Sequence, residues 1–296
     1  MNEDYSNEAS EQLARQLERN ERYRVLRAVP DRFTNMPEDG APPDGRCIAI
    51  VDTETTGLDA DEDSIIELAI MLLFVGDNGS VLGHLGPISW LQDPKAVLNH
   101  RISMITGLED EDLLGQMIDD EFAWKMLARA DLIVAHNAPF DAVFIERRYP
   151  QIAGKPWACS GSEIDWLALG FDGRAQQHLL MQAGSFSKAH RAGDDVWSLF
   201  WLLQQRQTDP NGDRVRTHLA RLIEASDRLS VMIEARGAPY DKKDVLKARG
   251  YSWNPARRFW QKELPEADVP FEEAWAFRNG LPALATRTVT ASERHR

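Results

Sequence analysis

Hydrophobic and polar positions in the first third of the chain predict three consecutive β-strands. Apolar residues dominate the segments 46–52, 64–74 and 80–90, and a Gly-Asp-Asn-Gly turn at 76–79 separates the last two. A further apolar segment at 132–134 has the length of a buried strand rather than that of a helix. These strands predict an α/β fold with a buried sheet.

Segments with helical spacing of apolar residues alternate with the strands. The predicted helices cover residues 7–27, 119–129, 139–150, 189–205 and 213–227. Pro139 suits the first turn of the third of these helices. Residues 189–205 are apolar almost all round, which is typical of a buried helix. A polar turn at 208–212 separates this helix from the next.

The period of apolar positions changes near residue 229. Residues 229–236 alternate between apolar and polar, which predicts a strand, and a short basic helix follows at 241–248. A turn, an aromatic strand near 259–262 and a closing helix at 270–278 complete a small β-α-β-β-α module. The expected organisation is an N-terminal helix and connector at 1–45, a main α/β domain at 46–206, a linker helix at 207–228, a small basic and aromatic α+β module at 229–285 and a flexible tail at 286–296.

The composition is that of an ordinary globular protein, with 43% hydrophobic and 27% charged residues among 296. No apolar run approaches the ~20 residues that a membrane span needs, and the acidic N-terminus argues against a secretory signal. Cys47 and Cys159 are too few for a disulfide framework. We therefore expect a reducing, cytoplasmic environment and no membrane association.

The net charge of −13 is unusual for a protein that binds nucleic acid, but it is unevenly distributed. Residues 46–230 carry 28 acidic and 16 basic side chains, whereas residues 231–296 carry 9 acidic and 12 basic. The segment 237–262 has 7 basic and 2 acidic residues, interleaved with aromatic residues such as Trp253 and Trp260. This segment suits single-stranded nucleic acid. It suits equally a small domain whose aromatic residues fill its own core.

Two carboxylates end the first predicted strand. The apolar run from Ile48 stops at Asp52 and Glu54, and a turn at Gly57 follows. Because side chains alternate along a strand, the two acids project from one face, where they repel each other unless a cation is bound. Hard oxygen ligands favour Mg²⁺ or Mn²⁺ over zinc. An isolated pair would be better explained as an exposed strand end, so the metal hypothesis depends on further acidic residues.

Two later segments supply further ionisable groups. Residues 136–141 read His-Asn-Ala-Pro-Phe-Asp and place Asp141 in the first turn of a predicted helix. Asp195 lies in the predicted buried helix at 189–205, where an unpaired charge would be costly and a metal ion would explain it. His190 lies five residues before it.

The order and spacing of these segments resemble the 3′→5′ exonucleases with four acidic metal-site residues and a histidine, the group that contains bacterial polymerase proofreading subunits and RNase T. Residues 52–57, 136–141 and 190–195 match the three motifs of that group, and the match covers about residues 46–206. The resemblance implies an RNase H-like fold, in which helices flank a mixed five-stranded sheet. It also implies two divalent cations that activate a water molecule and stabilise the leaving oxygen.

The resemblance gives each motif residue an expected role. Asp52, Glu54 and Asp195 are expected to ligate Mg²⁺ or Mn²⁺ directly, with Asp52 bridging two ions. Asp141 is expected to ligate directly or through water. His190 is expected to act as the general base, since an imidazole can accept a proton near neutral pH.

Other positions near the motifs have weaker assignments. Thr55 and Thr56 match positions that contact the terminal nucleotide in this group. Many members carry His-Gly-Ile-Thr between the first two motifs, whereas residues 103–107 read Ser-Met-Ile-Thr-Gly, which puts that substrate contact in doubt. Asp194 is the alternative ligand in the third motif, although the family spacing from His190 selects Asp195. We expect His136 to form a hydrogen bond within its own turn.

The resemblance favours DNA over RNA as substrate, because the most similar motifs belong to proofreading-type sequences. It implies release of nucleoside 5′-monophosphates from single-stranded 3′ ends, in replication or repair, with a DNA polymerase or repair protein as the expected class of partner. An RNA-processing exoribonuclease is one alternative. A catalytically inactive nuclease fold that binds nucleic acid or assists a polymerase is another. Loss of a metal-site carboxylate would favour the inactive form, and none is lost here.

Overall fold

A computed structural model describes residues 2–210 and 212–295, with backbone alone for residues 2–7. Met1, Asn211 and Arg296, which fall within the predicted N-terminal segment, linker and tail, lie outside the described residues. None of the helices in the described part is long and apolar enough to cross a membrane.

Helices and strands cover most of the described chain. The helices α1 to α11 are Asn2–Glu18, His100–Thr106, Asp110–Leu113, Asp120–Arg129, Ala138–Arg148, Ser160–Glu163, Gln176–Gln182, Ala192–Gln204, His218–Asp227, Lys243–Ala248 and Val269–Arg278. The strands β1 to β13 are Arg27–Ala28, Arg46–Thr55, Ile65–Val75, Val81–Leu91, Leu132–Ala135, Trp157–Cys159, Ser185–Phe186, Arg206–Thr208, Val215–Thr217, Ser230–Ala235, Ser252–Asn254, Phe259–Pro265 and Ala285–Val289. Short 3₁₀ turns lie at Pro150–Ile152, Tyr240–Lys242 and Glu266–Asp268.

A mixed five-stranded sheet forms the core, in the order β4-β3-β2-β5-β6. β3 is antiparallel to both β2 and β4, whereas β5 is parallel to both β2 and β6. β3 is buried along its whole length, because it has a strand on either side and helices on both faces. The predicted RNase H-like arrangement of a mixed sheet flanked by helices is therefore confirmed.

Alternation along β2 divides its side chains between two cores. Ala49 and Val51 pack with residues of α4 and α5, whereas Ile48 and Ile50 pack with residues of α7, α8 and α9. Successive side chains of a strand point to opposite faces. The acidic residues at positions 52 and 54 consequently lie on the α8 side of the sheet.

The N-terminal helix ends at Glu18, earlier than the predicted 27, and the chain then folds back onto the main domain. The Arg27 guanidinium binds the carboxylates of Glu11 and Glu18, and β1 pairs in parallel with β7. The indole N–H of Trp197 in α8 donates to the Pro30 carbonyl at 2.6 Å. The N-terminal segment therefore packs on α8.

Strands Arg206–Thr208 and Val215–Thr217 form a β-hairpin where a linker and the start of a helix were predicted. β8 and β9 pair antiparallel, and the Asp209 carboxylate accepts hydrogen bonds from Arg216 and Arg221, both at 2.9 Å. The helix that follows therefore begins at His218, later than predicted. Its apolar face is buried in the same core as α8, so this segment packs against the main domain.

The C-terminal residues form a second, antiparallel sheet in the order β11-β12-β10-β13. Leu246 of α10 and Ala276 of α11 pack against Val231 and Ile233 of β10. Strands and helices follow the predicted β-α-β-β-α order, to which the structure adds β13.

The prediction of a flexible tail from residue 286 is wrong for the residues that the structure describes. Ala285–Val289 pairs with β10, and the Trp157 N–H donates to the Ala291 carbonyl at 3.0 Å. The segment consists of small and polar residues apart from the buried Val289. One buried apolar residue is too weak a pattern to predict a strand from sequence.

Arg294 joins the C-terminal sheet to the main domain. Its side chain is 5% exposed, and its guanidinium lies 3.0 Å from Glu163 of α6 and 2.7 Å from Glu263 of β12. It also donates to the backbone carbonyls of Ser226 and Arg228 at the C-terminal end of α9. The Nε2 atom of His295 lies 2.7 Å from the same Glu163.

Replacing Arg294 with Met should lower the free energy of unfolding by about 3 kcal/mol, because it leaves Glu163 and Glu263 without their shared cation. Urea denaturation at pH 7 measures the loss. Arg228→Met is the matched control, since the side chains of its ion pair with Glu224 are 69% and 45% exposed. The control should cost less than about 1 kcal/mol. Equal losses in the two variants would contradict this role of Arg294.

Candidate metal centre

The end of β2 carries the first two predicted ligands. Asp52 and Glu54 are half-buried and lie on the face of β2 that is turned toward α8. The pairing of β2 with β3 shifts after Glu54, and β2 ends at Thr55. Both carboxylates therefore share one side of the strand end.

Helix α8 brings Asp195 to the same place, in its first turn, where the helix dipole favours a negative charge. The Asp195 Oδ2 atom accepts the main-chain N–H of His190 at 2.7 Å, and Oδ1 accepts Nε2 of Gln177 at 3.1 Å. One oxygen from each of Asp52, Glu54 and Asp195 lies within 4.8 Å of the others. Among the described residues, these three carboxylates alone form a group that could hold a metal ion.

Asp141 approaches the site from the other face of the sheet. It lies in the first turn of α5, is 3% exposed and accepts a 2.8 Å hydrogen bond from Thr53 Oγ1. It is not one of the group of three. Its charge nevertheless acts on Asp52, since burial and then repulsion by Asp141 raise the pKa of Asp52. The structure therefore places the fourth predicted carboxylate beside the group of three.

These carboxyl groups resist ionisation where no cation accompanies them. Burial, with repulsion by neighbouring carboxylates, raises the pKa of Glu54 to about 8, and burial raises the pKa of Asp141 to about 7. Burial and then the charges of four acidic neighbours raise the pKa of Asp52 well above its usual range. Burial also raises the pKa of Asp195. A divalent cation among them would offset the repulsion and favour the ionised forms.

His190 is exposed on the turn before α8. Its φ angle of 62° lies in the left-handed region, which is uncommon for residues other than glycine but better tolerated by histidine. The hydrogen bond from its N–H to Asp195 fixes this turn. The imidazole is therefore carried by a turn that is bonded directly to a predicted ligand.

The predicted nucleotide contacts, Thr55 and Thr56, lie in the turn after Glu54. The Thr55 hydroxyl donates to the Gly57 carbonyl at 2.5 Å, and the Thr56 hydroxyl donates to Asp63 Oδ1 at 2.9 Å. Both hydroxyls therefore shape the turn. A contact with a terminal nucleotide stays a prediction.

His136 links separate segments instead of bonding within its own turn. Its Nδ1 atom lies 2.9 Å from Ser160 Oγ, and its Nε2 atom lies 2.6 Å from the Arg174 carbonyl. Its own carbonyl accepts the Gly161 N–H at 3.1 Å. Both ring nitrogens are thus used in holding α6 and the segment before α7 against the end of β5.

Three side chains that support the site were not predicted, namely those of Gln177, Arg191 and Glu67. Gln177 of α7 donates a hydrogen bond to the Asp195 carboxylate. Arg191 forms an ion pair with the buried Glu67 of β3 at 3.0 Å. Asp194, the alternative ligand, instead forms an ion pair with Arg32 of the N-terminal segment. Each contact joins residues far apart in the chain, so no local pattern could have indicated it.

With divalent cations removed, the free energy of unfolding should fall as the pH rises from about 5 to 8. The pKa of Glu54 is about 8 in the folded protein against an ordinary value of 4.5. Between these values the folded protein holds a proton that the unfolded chain has released, so folding becomes less favourable as the pH rises. Adding Mg²⁺ at pH 8 should restore stability, with a gain in Tm of about 2–4 °C for each kcal/mol.

Thermal unfolding at pH 5.5 and pH 8, with EDTA and with Mg²⁺, measures both effects. The matched control is a variant with Asp52→Asn and Glu54→Gln, which should lose the response to Mg²⁺ at pH 8. A Tm at pH 8 that is independent of Mg²⁺ in the wild type would count against a metal site here.

Comparisons with known proteins find relatives that act on nucleic acids. The chain is 29% identical over 159 residues to the DNA polymerase III subunit epsilon of Treponema pallidum, covering 49% of this chain and 69% of that protein. It is 32% identical over 122 residues to the PolC-type DNA polymerase III of Thermotoga petrophila, covering 40% and 8% of the two chains. It is 28% identical over 124 residues to the Ribonuclease T of Actinobacillus pleuropneumoniae, covering 36% and 55%. The chain thus spans only a small part of the PolC-type polymerase.

Solved exonuclease structures show a distant likeness. Escherichia coli Exonuclease I in complex with a dA16 oligonucleotide aligns with a TM-score of 0.47 and 13% identity, covering 84% of this chain and 64% of that chain. Exonuclease X in complex with 5′-overhanging duplex DNA aligns with a TM-score of 0.39 and 21% identity, covering 60% and 90%.

The family model described as an exonuclease, RNase T, matches residues 49–197, about half of the chain. The matched segment runs from β2 to the first turns of α8. It includes the four carboxylates described above and His190. The chain therefore belongs to the RNase T family of exonucleases.

Proposed function

We propose that the protein is a divalent-metal-dependent 3′→5′ exonuclease that releases nucleoside 5′-monophosphates from nucleic acid. The observation that carries this proposal is the convergence of Asp52, Glu54 and Asp195, whose ligand atoms lie within 4.8 Å of one another. All three lie inside the segment that matches the exonuclease family. An all-oxygen donor set suits hard divalent cations.

The proposed ions are two Mg²⁺ or Mn²⁺, which Asp52, Glu54 and Asp195 would hold. Asp141 would ligate directly or through water. When bound, the ions would polarise the attacking water and stabilise the leaving 3′ oxygen. Hydrogen bonds to both oxygens of Asp195 fix the orientation of its carboxylate. This ligand is therefore organised before substrate arrives.

His190 is the proposed general base. Its imidazole accepts one proton from the attacking water as that oxygen bonds to phosphorus and the bond to the 3′ oxygen of the preceding nucleotide breaks. Two observations support this role. The ring is exposed, and its backbone N–H is bonded to the ligand Asp195.

DNA with a single-stranded 3′ end is the proposed substrate, and a DNA polymerase or repair protein is the proposed partner. The names of the epsilon subunit and of the PolC-type polymerase support this choice. Similarity to a Ribonuclease T supports an exoribonuclease as the alternative.

Much of the basic and aromatic content of the C-terminal module stabilises the module itself. Tyr251 and Trp260 belong to its buried core. Arg249 and Lys262 form ion pairs, at 3.0 and 3.3 Å, with Glu272, whose side chain is 4% exposed. These residues therefore favour the interpretation of a self-contained core.

Other residues of the module remain exposed. Trp253 on the edge strand β11 is 48% exposed, and Lys247 and Arg258 are exposed as well. An exposed indole and exposed cations in one module suit base stacking and phosphate contact. We propose that residues 46–206 form the exonuclease domain and that residues 229–289, which include β13, form an auxiliary module that contacts single-stranded nucleic acid.

Asp195→Asn should lower the rate of degradation in Mg²⁺ by at least about 10³-fold, since it removes a direct metal ligand. Asp194→Asn is the matched control and should stay close to the wild-type rate, because Asp194 pairs with Arg32. Matched single-stranded DNA, double-stranded DNA and RNA with 3′ labels are the substrates, and mass spectrometry identifies the products.

We expect single-stranded DNA to be degraded fastest, to nucleoside 5′-monophosphates. Full activity of the Asp195 variant would overturn the metal assignment. Faster degradation of RNA would support the exoribonuclease, and no degradation by the wild type would support an inactive nuclease fold.

His190→Ala should lower kcat by about 10²–10⁴-fold, the usual contribution of a general base. Mn²⁺ affinity, measured by calorimetry, should change little, because the side chain of His190 is not a proposed ligand. His100→Ala, at the exposed start of α2, is the control and should keep the wild-type kcat. A kcat within threefold of the wild type in His190→Ala would reject this base.

A further inference from the structure

A fifth carboxylate lies beside the proposed ligands. Glu67 on β3 is paired directly opposite Glu54 on β2, so both side chains lie on the same face of the sheet. Glu67 is 2% exposed, and it is outside the group of three carboxylates that could hold a metal ion. A buried carboxylate in such a place is costly unless a cation accompanies it.

Arg191 provides that cation from the turn that carries His190. Its Nε atom lies 3.0 Å from Glu67 Oε2, and a second guanidinium nitrogen lies 3.5 Å from Oε1. Arg191 is also the N-cap residue of α8, and its carbonyl accepts the Asp195 N–H at 2.9 Å. One side chain therefore ties the start of α8 to β3.

We propose that Arg191 and Glu67 are a positioning pair, which holds the turn carrying His190 and Asp195 in register with the strand end carrying Asp52 and Glu54. The general base and one ligand come from α8, and the other two ligands come from β2. Among the ion pairs formed between described residues, only Arg191–Glu67 joins α8 or its N-cap residue to the five-stranded sheet.

The pair also fits the charge balance of the site when two divalent ions are bound, as the proposed function requires. Asp52, Glu54, Asp141 and Asp195 then balance the two ions, and Arg191 balances Glu67. Glu67 is thus engaged by Arg191 and lies outside the proposed ligand set. The inference rests on the proposed function for its catalytic part only, since the contact itself is present in the structure.

The neighbouring ion pair on the same turn provides a contrast. Asp194 and Arg32 have side chains that are 35% and 37% exposed, whereas the Glu67 side chain is 3% exposed. An exposed ion pair contributes little to local order. Asp194→Asn is therefore the matched control for loss of a charge pair at the start of α8.

The test compares E67Q/R191M with Asp194→Asn and the wild type. The double variant removes both charges, so no buried charge is left unpaired and the protein should fold, which a Tm measurement checks. We expect kcat to fall about 10–100-fold, since small displacements of reacting groups are costly, and KM to change less than about threefold. R191K, which keeps the charge, should recover part of the lost kcat when Glu67 is present.

A second measurement is independent of nuclease activity. Hydrogen exchange of the peptide that covers residues 186–192 reports the His190 N–H, which donates to Asp195. Exchange should be several-fold faster in E67Q/R191M and unchanged in Asp194→Asn. An inactive wild type would refute the proposed function. Hydrogen exchange would then still test whether Arg191 and Glu67 hold the turn in place.

Two results would overturn the proposal. The first is a wild-type kcat in the folded double variant, whether or not exchange is faster. The second is a lower kcat with unchanged exchange, which would make the pair an electrostatic element rather than a positioning one.

Discussion

Mutual repulsion among half-buried carboxylates is the constraint on which the rest of this structure depends. Asp52, Glu54 and Asp195 converge to within 4.8 Å, and burial together with their charges opposes their ionisation. A fold keeps such an arrangement only where other groups or ions offset the repulsion. Hydrogen bonds to Asp195, the Arg191 guanidinium beside Glu67 and the proposed divalent ions all act in this direction.

The carboxylates converge at the end of β2, which carries two of them, while helices packed on its two faces carry the others. Residues at alternate positions of β2 face α8 on one side and α5 on the other. Asp195 therefore meets Asp52 and Glu54 directly, whereas Asp141 stands behind the strand and bonds to Thr53. Because α8 carries both Asp195 and the turn with the proposed base, its placement on the sheet governs ligand geometry and base geometry together.

The sheet could be predicted because the periodicity of apolar residues marks its strands. The carboxylates could be predicted because each lies in a short motif, and the three motifs follow one another in a known order. Asp52 and Glu54 follow an apolar strand directly, and the order of the three motifs relates distant segments. Gln177 and Glu67 could not be predicted, because they reach the site through contacts between segments far apart in the chain. The hairpin around Asp209 and the strand β13 were missed for the same reason, since each depends on tertiary pairing rather than on apolar periodicity.

Anomalous diffraction from a crystal of the wild-type protein soaked in Mn²⁺ tests the central claim most directly. The account predicts manganese peaks within ligand distance of Asp52, Glu54 and Asp195, with a second ion on the side of Asp141. An ordered site without any anomalous peak among these carboxylates, at saturating Mn²⁺ and pH 8, would contradict it.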